Sequence, residues 1–250
     1  MDFSETEDQI MIRDMVRDFA ETVASPTCHQ RDKEQKPPID EFKQFAELGV
    51  AGMTIPEAYG GQKLDDISEA IVIEELSRVD PSLGVMVAVH VGLCSMTITL
   101  NGNEEQKNKY LPKLASGEYL GAYSLSEAGS GTDAAAMVAR ASEDGDFYTL
   151  NGEKMWVTNG TTADLFVLFA KVTDHPDYGE KKHGGVTCFI IEKGFEGFKI
   201  GKKEDKLGIR SSDTCTLILD NCKVPKENVL GDVGKGFAIA MNALDNSRIG

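Results

Sequence analysis

Several features that would indicate particular protein classes are scarce in this sequence. Its five cysteines include no CxxC pair, and its four histidines are scattered without ligand spacing, which argues against a disulfide framework or a metal site. We therefore expect reduced, buried thiols. Basic residues are also in deficit, with 26 Lys and Arg against 41 Asp and Glu and a net charge of -15. Because such a surface repels nucleic acid and anionic lipid, neither is predicted as a partner.

Targeting and membrane-spanning segments are not recognisable either. The N-terminus, MDFSETEDQ, is acidic where a signal peptide would be basic. The longest apolar stretch, LGVMVAVHVGL at residues 83–93, is shorter than the roughly 20 residues that a membrane helix needs. We therefore expect a cytoplasmic protein. With 41% apolar residues in a chain of 250, it can fill one large core or two ordinary ones.

Residues 1–118 have a helical pattern. In the first predicted helix, apolar residues recur every three or four positions, at Ile12, Val16, Phe19 and Val23. That helix should end at Pro26. A second helix contains Phe42 and Phe45 and should end before Gly49, a typical C-terminal capping residue. Three further helices are predicted, over residues 66–78, 82–100 and 104–114.

From residue 119 the period of the apolar residues falls from near 3.6 to near 2. Three dipeptides suit the positive φ angles of two-residue hairpin turns: Asp144-Gly145, Asn151-Gly152 and Asn159-Gly160. The helical period returns in GFAIAMNALDNSR, and no termination signal follows Arg248. The predicted fold class is therefore α+β. Its parts are an all-α domain at 1–118, an antiparallel β-barrel domain at 119–232, and the first helix of a truncated C-terminal helical-bundle domain at 233–250.

The segment YSLSEAGSGTD, residues 123–133, is the most distinctive motif. Gly129-x-Gly131-x-x-Ala134 matches a relaxed dinucleotide fingerprint, in which glycines allow the backbone to approach a pyrophosphate closely. That fold requires a crossover helix and a parallel strand after the loop. The short segment between Ala134 and Asp144 leaves little room for such a helix, and hairpin signals follow it. A Rossmann unit is therefore disfavoured, although the loop's N–H and hydroxyl groups still suit phosphate oxygens.

Together, these segments resemble the acyl-CoA dehydrogenase family. The loop is followed in family order by NGEKMWVTNG, KLGIRSSDT, VPKENVLG and GKGFAIAMNALDNSRIG, and preceded by IEELSRVDPS and GNEEQKNKYLPKLASGE. The similarity is greatest to short-chain, butyryl-type bacterial members. It implies FAD-dependent dehydrogenation of a short- or medium-chain acyl-CoA to the trans-2-enoyl-CoA, with electrons passed to an electron-transfer flavoprotein. It also implies a homo-oligomer, specifically a homotetramer.

Two other classes of function are compatible with the sequence. A truncated, non-catalytic flavin- or acyl-CoA-binding or assembly protein would share the same motifs. An NAD-linked oxidoreductase is a weaker alternative, supported only by the glycine pattern of the loop.

The resemblance assigns roles to residues at the matching positions. The expected cofactor-binding residues are Tyr123, Ser124, Leu125, Ser126, Glu127, Ala128, Gly129, Ser130, Gly131, Thr132, Trp156, Val157 and Thr158. The expected substrate-binding residues are Thr132, Asp245, Asn246, Ser247 and Arg248. Some of these have ordinary structural alternatives. Tyr123 and Leu125 suit a strand core equally well, and Asp245 and Arg248 are spaced to form a surface ion pair.

Trp156 and Thr158 are two residues apart, so both should lie on one face of a strand and contact the same flat ligand. By resemblance, the tryptophan would pack against the flavin, and the threonine hydroxyl would bond to the nitrogen that accepts hydride. Ser247 occupies the position at which members acting on branched or long acyl chains have a glutamate base. Because a serine without a partner cannot remove the α-proton, no catalytic residue is expected in this chain, and it is predicted to be inactive alone.

Overall fold

The structure is a computed structural model and describes residues 4–248, except for the side chain of Asn246. Its α-helices are α1 (Glu7–Phe19), α2 (Ser25–Glu34), α3 (Ile39–Glu47), α4 (Asp66–Val79), α5 (Pro81–Ala88), α6 (Met96–Asn101), α7 (Glu104–Ala115) and α8 (Gly236–Ser247). Two π-helical segments join neighbouring helices without a break, Ala20–Ala24 between α1 and α2 and Val89–Ser95 between α5 and α6. The predicted run of helices before residue 119 is confirmed.

The first helix does not end at Pro26, contrary to the prediction. The helical path continues through the π-helical segment into α2, where Pro26 lies in the first turn. A proline is tolerated there because the N–H groups of a first turn have no partner within the helix. Gly49, by contrast, follows α3 with a φ of 80°, as predicted for a residue that ends a helix.

The helical path at Pro81–Asn101 is longer than predicted from its most apolar stretch. It has 21 residues and a mean hydropathy of 1.9, so by length and composition alone it could cross a membrane. The expectation that the stretch is too short is therefore wrong. However, 61% of its apolar 18-residue window is buried within the protein, as in the core helix of a globular protein. Here it packs against β1 and α8.

The second half of the chain forms one sheet of eight strands. They are β1 (Gly121–Ser124), β2 (Arg140–Asp144), β3 (Phe147–Thr158), β4 (Leu165–Val172), β5 (Val186–Glu192), β6 (Phe198–Lys203), β7 (Thr214–Pro225) and β8 (Val229–Leu230). The order is β6-β7-β3-β2-β4-β5-β8, with β1 also paired to β4. The α+β class is confirmed. Within the sheet, the pairings β1–β4 and β2–β4 are parallel and the others are antiparallel.

Only one of the three predicted hairpin turns joins paired strands. The turn at Asp144-Gly145 connects β2 and β3. The pair Asn151-Gly152 lies inside β3, at an irregularity in its pairing with β7. A Cβ on Gly152 would lie 2.8 Å from the Cα of Ala139, so this glycine permits close packing rather than a turn. Asn159-Gly160 leads from β3 towards β4, and these two strands are not neighbours in the sheet.

The parallel pairings determine where the glycine loop lies. Strand β1 pairs with residues 165–168 of β4, and β2 pairs with Lys171 and Val172 of the same strand. The chain thus leaves the edge of β4 after Ser124 and returns to it at Arg140. Residues 125–139 form an excursion from the sheet between these two points. Strands β1 and β2 therefore run in the same direction along one edge of β4, and both are parallel to it.

The helices and the sheet are joined by buried polar contacts. The Nδ1 atom of His90 accepts a hydrogen bond from the Gly121 N–H at 3.0 Å, and its Nε2 contacts the Leu114 carbonyl at 3.1 Å. The amide of Asn159 donates to the carbonyls of Met86 and Gly121, each at 3.1 Å. The predicted domain boundary at residue 118 is therefore crossed by direct hydrogen bonds at the start of β1, and the boundaries remain predictions.

The cysteine thiols are free and largely buried. Four of the five are buried, whereas Cys28 is partly exposed. Within residues 4–248, no group of three or more His, Cys, Asp or Glu side chains is arranged to hold a metal ion.

Candidate functional site

A cavity of about 510 Å³ lies between the helices and the glycine loop. Three distant parts of the sequence form it: the helical path at Pro81–Asn101, the loop with the end of β3, and α8. Its lining residues are Val89, Leu93, Tyr123, Leu125, Ser126, Gly131, Thr132, Ala134, Met155, Trp156, Thr158, Met241, Leu244 and Arg248. Apolar walls with a few convergent polar groups are typical of a small-molecule site.

A buried ion pair holds the glycine loop on the sheet. The Nζ of Lys154 donates to Oε1 of Glu127 at 2.7 Å and to the Leu125 carbonyl at 3.1 Å. Burial lowers the pKa of the Lys154 ammonium, an effect that the nearby carboxylate opposes. The Glu127 carboxylate also accepts from the N–H groups of Val138 and Ala139, at 2.6 and 3.1 Å. One buried pair therefore connects the start of the loop, its end and β3.

Trp156 faces the cavity because β3 contains a bulge. Even-numbered side chains such as Tyr148, Leu150 and Lys154 are buried in this strand. The pairing with β7 then shifts between Lys154 and Val157, and Val157 becomes the buried residue. Trp156 has a φ of 60° and is 59% exposed. An extra residue in one strand reverses which side chains face inward, so regular alternation would have buried the indole.

Three hydroxyl groups of the cavity lining have no protein partner. The side chains of Ser126, Thr132 and Thr158 line the cavity, and none of them is hydrogen-bonded to a residue in the described range. The hydroxyl of Tyr123, another lining residue, is buried without a partner, and burial raises its pKa. Hydroxyls can both donate and accept. The cavity therefore presents unpaired polar groups, beside an exposed aromatic ring, to a ligand.

The predicted substrate-binding residues of α8 are only partly brought to the cavity. Arg248 lines it, together with Leu244. Asp245 is exposed and is not part of the lining, and no ion pair joins it to Arg248 within the described range. The Ser247 hydroxyl donates to the Leu244 carbonyl at 3.3 Å. The side chain of Asn246 lies outside the described residues.

The loop residues predicted to bind the cofactor divide into two groups. Those that line the cavity are Tyr123, Leu125, Ser126, Gly131 and Thr132. The others shape the loop or point elsewhere. Ser130 and Glu127 exchange backbone hydrogen bonds of 2.9 and 3.0 Å, and the Ser130 hydroxyl donates to the Asp133 carbonyl. Ser124 and Val157 are buried, and Ala128 and Gly129 are exposed.

Sequence reasoning missed six lining residues: Val89, Leu93, Ala134, Met155, Met241 and Leu244. Most are apolar side chains in helices, where the same pattern serves ordinary packing. No local signal distinguishes a cavity wall from a core in such segments.

A larger cavity, of about 710 Å³, is lined by other residues of the loop together with Arg140, Lys171, Lys181 and Lys182. It contains none of the predicted site residues. The 510 Å³ cavity is the better candidate because the predicted residues of three separate segments converge there.

The structure gives no support to a dinucleotide fold at the glycine loop. After Gly131 the chain forms only a 3₁₀ turn, Ala134–Ala136, before β2. Strand β2 then turns back into β3 as an antiparallel hairpin. The crossover helix that would direct its N-terminus at a pyrophosphate is not present in this segment.

The fold is thus a helical N-terminal part followed by a β-sheet part, with a cavity lined by both and by α8. The sequence model of the N-terminal domain of acyl-CoA dehydrogenase matches residues 6–118, and that of the middle domain matches residues 122–222. The chain belongs to the acyl-CoA dehydrogenase family.

Individual relatives agree with this assignment. The short-chain specific acyl-CoA dehydrogenase of Clostridium acetobutylicum is 46% identical over all 250 residues, and the chain spans 65% of its length. A chain in the structure of an electron transferring flavoprotein of Acidaminococcus fermentans, described in terms of flavin-based electron bifurcation, superposes with a TM-score of 0.94. It is 46% identical, and the match covers 99% of this chain and 64% of that one.

An acyl-CoA dehydrogenase from Bacillus anthracis in complex with FAD superposes with a TM-score of 0.89 at 39% identity, covering 98% of this chain and 41% of that one. The chain described here thus spans less than two thirds of the length of each of these three relatives.

Proposed function

We propose that this chain forms the cofactor-binding part of an FAD-dependent acyl-CoA dehydrogenase. The observation that carries the proposal is the convergence of the loop, the end of β3 and α8 on one 510 Å³ cavity. Family membership and the FAD complex of the Bacillus anthracis relative support the choice of cofactor. The product would be the trans-2-enoyl-CoA.

The lining residues fit a flavin. Trp156 offers an exposed aromatic face, and Ser126 and Thr158 offer unpaired hydroxyls in the lining of the same cavity. Gly131 and Thr132 offer backbone N–H groups and a hydroxyl in the cavity lining, which suit phosphate or acyl-CoA oxygens. When bound, FAD would supply the acceptor for the hydride that leaves the β-carbon of the substrate. The protein's own contribution is to orient the ring and exclude water.

The α-proton would be removed by a carboxylate supplied from outside these 250 residues. Two observations support this. The cavity lining contains no Asp or Glu among the described residues, and Ser247 bonds to its own helix rather than to a basic group. A serine at this position favours a short- or medium-chain substrate, as does the relative described as short-chain specific. The chain alone would then bind ligand without turning it over.

We further propose that electrons leave to an electron-transfer flavoprotein. The support is the structural match within the Acidaminococcus fermentans electron transferring flavoprotein structure. A homo-oligomeric, specifically homotetrameric, assembly and a cytoplasmic location are proposed from the family resemblance alone.

A titration of the purified chain with FAD tests the cofactor. We expect flavin fluorescence to change on binding, and we expect the double variant Ser126→Ala/Thr158→Val to bind about tenfold more weakly, a loss of about 1.4 kcal/mol. Thr149→Val is the matched control, since Thr149 lies in β3 away from the cavity lining. Binding of a nicotinamide dinucleotide with no binding of flavin would overturn the proposal.

Activity is tested in the full-length protein. With FAD, butyryl-CoA and electron-transfer flavoprotein, we expect formation of the enoyl-CoA. Residues 1–250 should form none under the same conditions, and enoyl-CoA production by this chain would contradict the proposed origin of the base.

A further inference from the structure

The loop that joins β4 to β5, residues 173–185, contacts two of the segments that line the 510 Å³ cavity. The Nζ of Lys182 lies 2.5 Å from Oδ2 of Asp133 in the glycine loop. The imidazole of His183 stacks on the ring of Phe237 in α8, with centroids 5.1 Å apart and planes 27° from parallel. This bridging dipeptide, Lys182-His183, therefore connects two segments that are distant in the sequence.

Both contacts lie beside residues of the cavity lining. Asp133 stands between two lining residues of the glycine loop. Phe237 precedes the lining residue Met241 by four positions in α8 and therefore shares its helix face. Among the described residues, the lining includes neither member of the bridging dipeptide. The dipeptide is thus placed to hold the two segments from outside the cavity.

The loop is anchored to the sheet and to the chain just before α8. The Nζ of Lys171, in β4, donates to the Lys182 carbonyl at 2.9 Å. A Cβ on Gly234 would lie 2.3 Å from Nε2 of His175, so this glycine leaves room for the histidine ring. The Gly234 N–H also donates to the Thr187 hydroxyl in β5 at 2.9 Å. These contacts fix the position from which the dipeptide reaches both segments.

The neighbouring lysine makes a different kind of contact. Lys181 pairs with Asp177 at 3.0 Å, inside the same loop, whereas the partner of Lys182 belongs to the glycine loop. Both side chains of the Lys182–Asp133 pair are more than half exposed, and exposed pairs contribute little to the stability of a fold. The same small free energy is nevertheless enough to change a dissociation rate several-fold.

We propose that Lys182 and His183 are positioning residues that hold the glycine loop and α8 together and so slow the release of a bound acyl-CoA. This rests on the proposed function, in which an acyl-CoA occupies the cavity. A ligand enclosed by the two segments leaves faster when they separate more readily. Because neither residue lines the cavity, they act on ligand release and not on the transfer of hydride or proton.

The test measures how fast trans-2-butenoyl-CoA, the product expected from butyryl-CoA, dissociates from the full-length holoenzyme, by stopped-flow absorbance of the flavin. Lys182→Met should release it about three to five times faster than the native enzyme. The KM for butyryl-CoA should rise by a similar factor without a fall in kcat. Lys181→Met is the matched control, because it removes the same charge from the adjacent residue, whose ion pair stays within one loop. It should keep the native rate.

Further variants separate positioning from direct contact with the ligand. Asp133→Asn should accelerate release as Lys182→Met does, and the double variant should be no faster than either single variant, because all three lack the same pair. His183→Ala should also accelerate release, by about threefold. His183→Phe retains a ring that can stack on Phe237 and should restore the native rate.

Three results would overturn the inference in an enzyme that oxidises butyryl-CoA. They are equal release rates in Lys182→Met and Lys181→Met, fully additive effects of Lys182→Met and Asp133→Asn, and equally fast release in His183→Phe and His183→Ala. The last result would show that the imidazole acts on the ligand directly. A native holoenzyme that does not oxidise butyryl-CoA would instead refute the proposed function, and the inference with it.

Discussion

The Nζ of Lys154 and Oε1 of Glu127 are 2.7 Å apart, in side chains that are 0% and 4% exposed. The pair joins β3 to both ends of the loop, because Glu127 also binds the Val138 and Ala139 N–H groups. The residues that line the cavity, Ser126 and Thr132 among them, lie between those attachment points. The geometry of the candidate cofactor loop therefore depends on a contact within the protein and not on a bound ligand.

Replacing Lys154 with methionine should destabilise the protein by about 3–5 kcal/mol, because Glu127 is then a buried carboxylate without its counterion. The free energy of unfolding from urea denaturation measures the effect. The matched control is Lys199→Met, which removes a lysine from an exposed strand pair with Asp220, 2.8 Å apart and more than half exposed on both sides. That change should cost at most about 1 kcal/mol. Equal losses of stability in the two variants would show that burying the Lys154–Glu127 pair does not increase its contribution to stability.

The Trp156→Gly variant should be more stable than Trp156→Ala by about 1 kcal/mol, since the φ of 60° is costly for any residue with a Cβ. Thermal or urea unfolding of Trp156→Gly and Trp156→Ala measures the difference. At Thr149, within the same strand and outside the left-handed region, the order of the two substitutions should be reversed. Both Trp156 variants should lose affinity for flavin. If the alanine variant were more stable than the glycine variant at both positions, the result would argue against the bulge in β3.

The two glycines of the loop should respond differently to alanine. A Cβ on either Gly129 or Gly131 would meet nothing within 4 Å, and neither residue has a positive φ. Both substitutions should therefore leave stability unchanged or raise it by about 0.4–1 kcal/mol, through loss of unfolded-state entropy. Only Gly131 lines the cavity. Gly131→Ala should weaken flavin binding by about tenfold, equivalent to about 1.4 kcal/mol, whereas Gly129→Ala retains the native affinity in the same titration.

Stability should fall as the pH is lowered because of His90. Burial lowers the pKa of its imidazole from 6.5 to about 4, so the unfolded chain binds a proton more readily than the folded one. The stabilisation is fully present above pH 6.5 and is lost as the pH falls towards 4. Between pH 7 and 5 the loss due to this residue should be about 2 kcal/mol.

Urea denaturation at both pH values checks this. His90→Gln should be less stable at pH 7, since the bond to Gly121 is altered, yet its stability should change less with pH than that of the native protein. The same pH dependence in both proteins would mean that other groups cause it.

The amino-acid pattern by itself determined the change from helices to strands and most helix positions, since amphipathic period and capping residues are local properties. It also predicted the loop and the β3 residues of the candidate site, through motifs that lie close together in the chain. The pattern also predicted that Trp156 and Thr158 share one face of a strand, although this prediction assumed a regular strand without a bulge.

Other features of the fold were decided by contacts between residues that are distant in the sequence. The bulge that exposes Trp156 exists only in register with β7, and the excursion of residues 125–139 follows from two strands sharing the edge of β4. The helix continues through Pro26 because a π-helical turn precedes it. The cavity itself forms only where the helical path at Pro81–Asn101, the glycine loop and α8 meet, and no spacing within any one of them encodes that meeting.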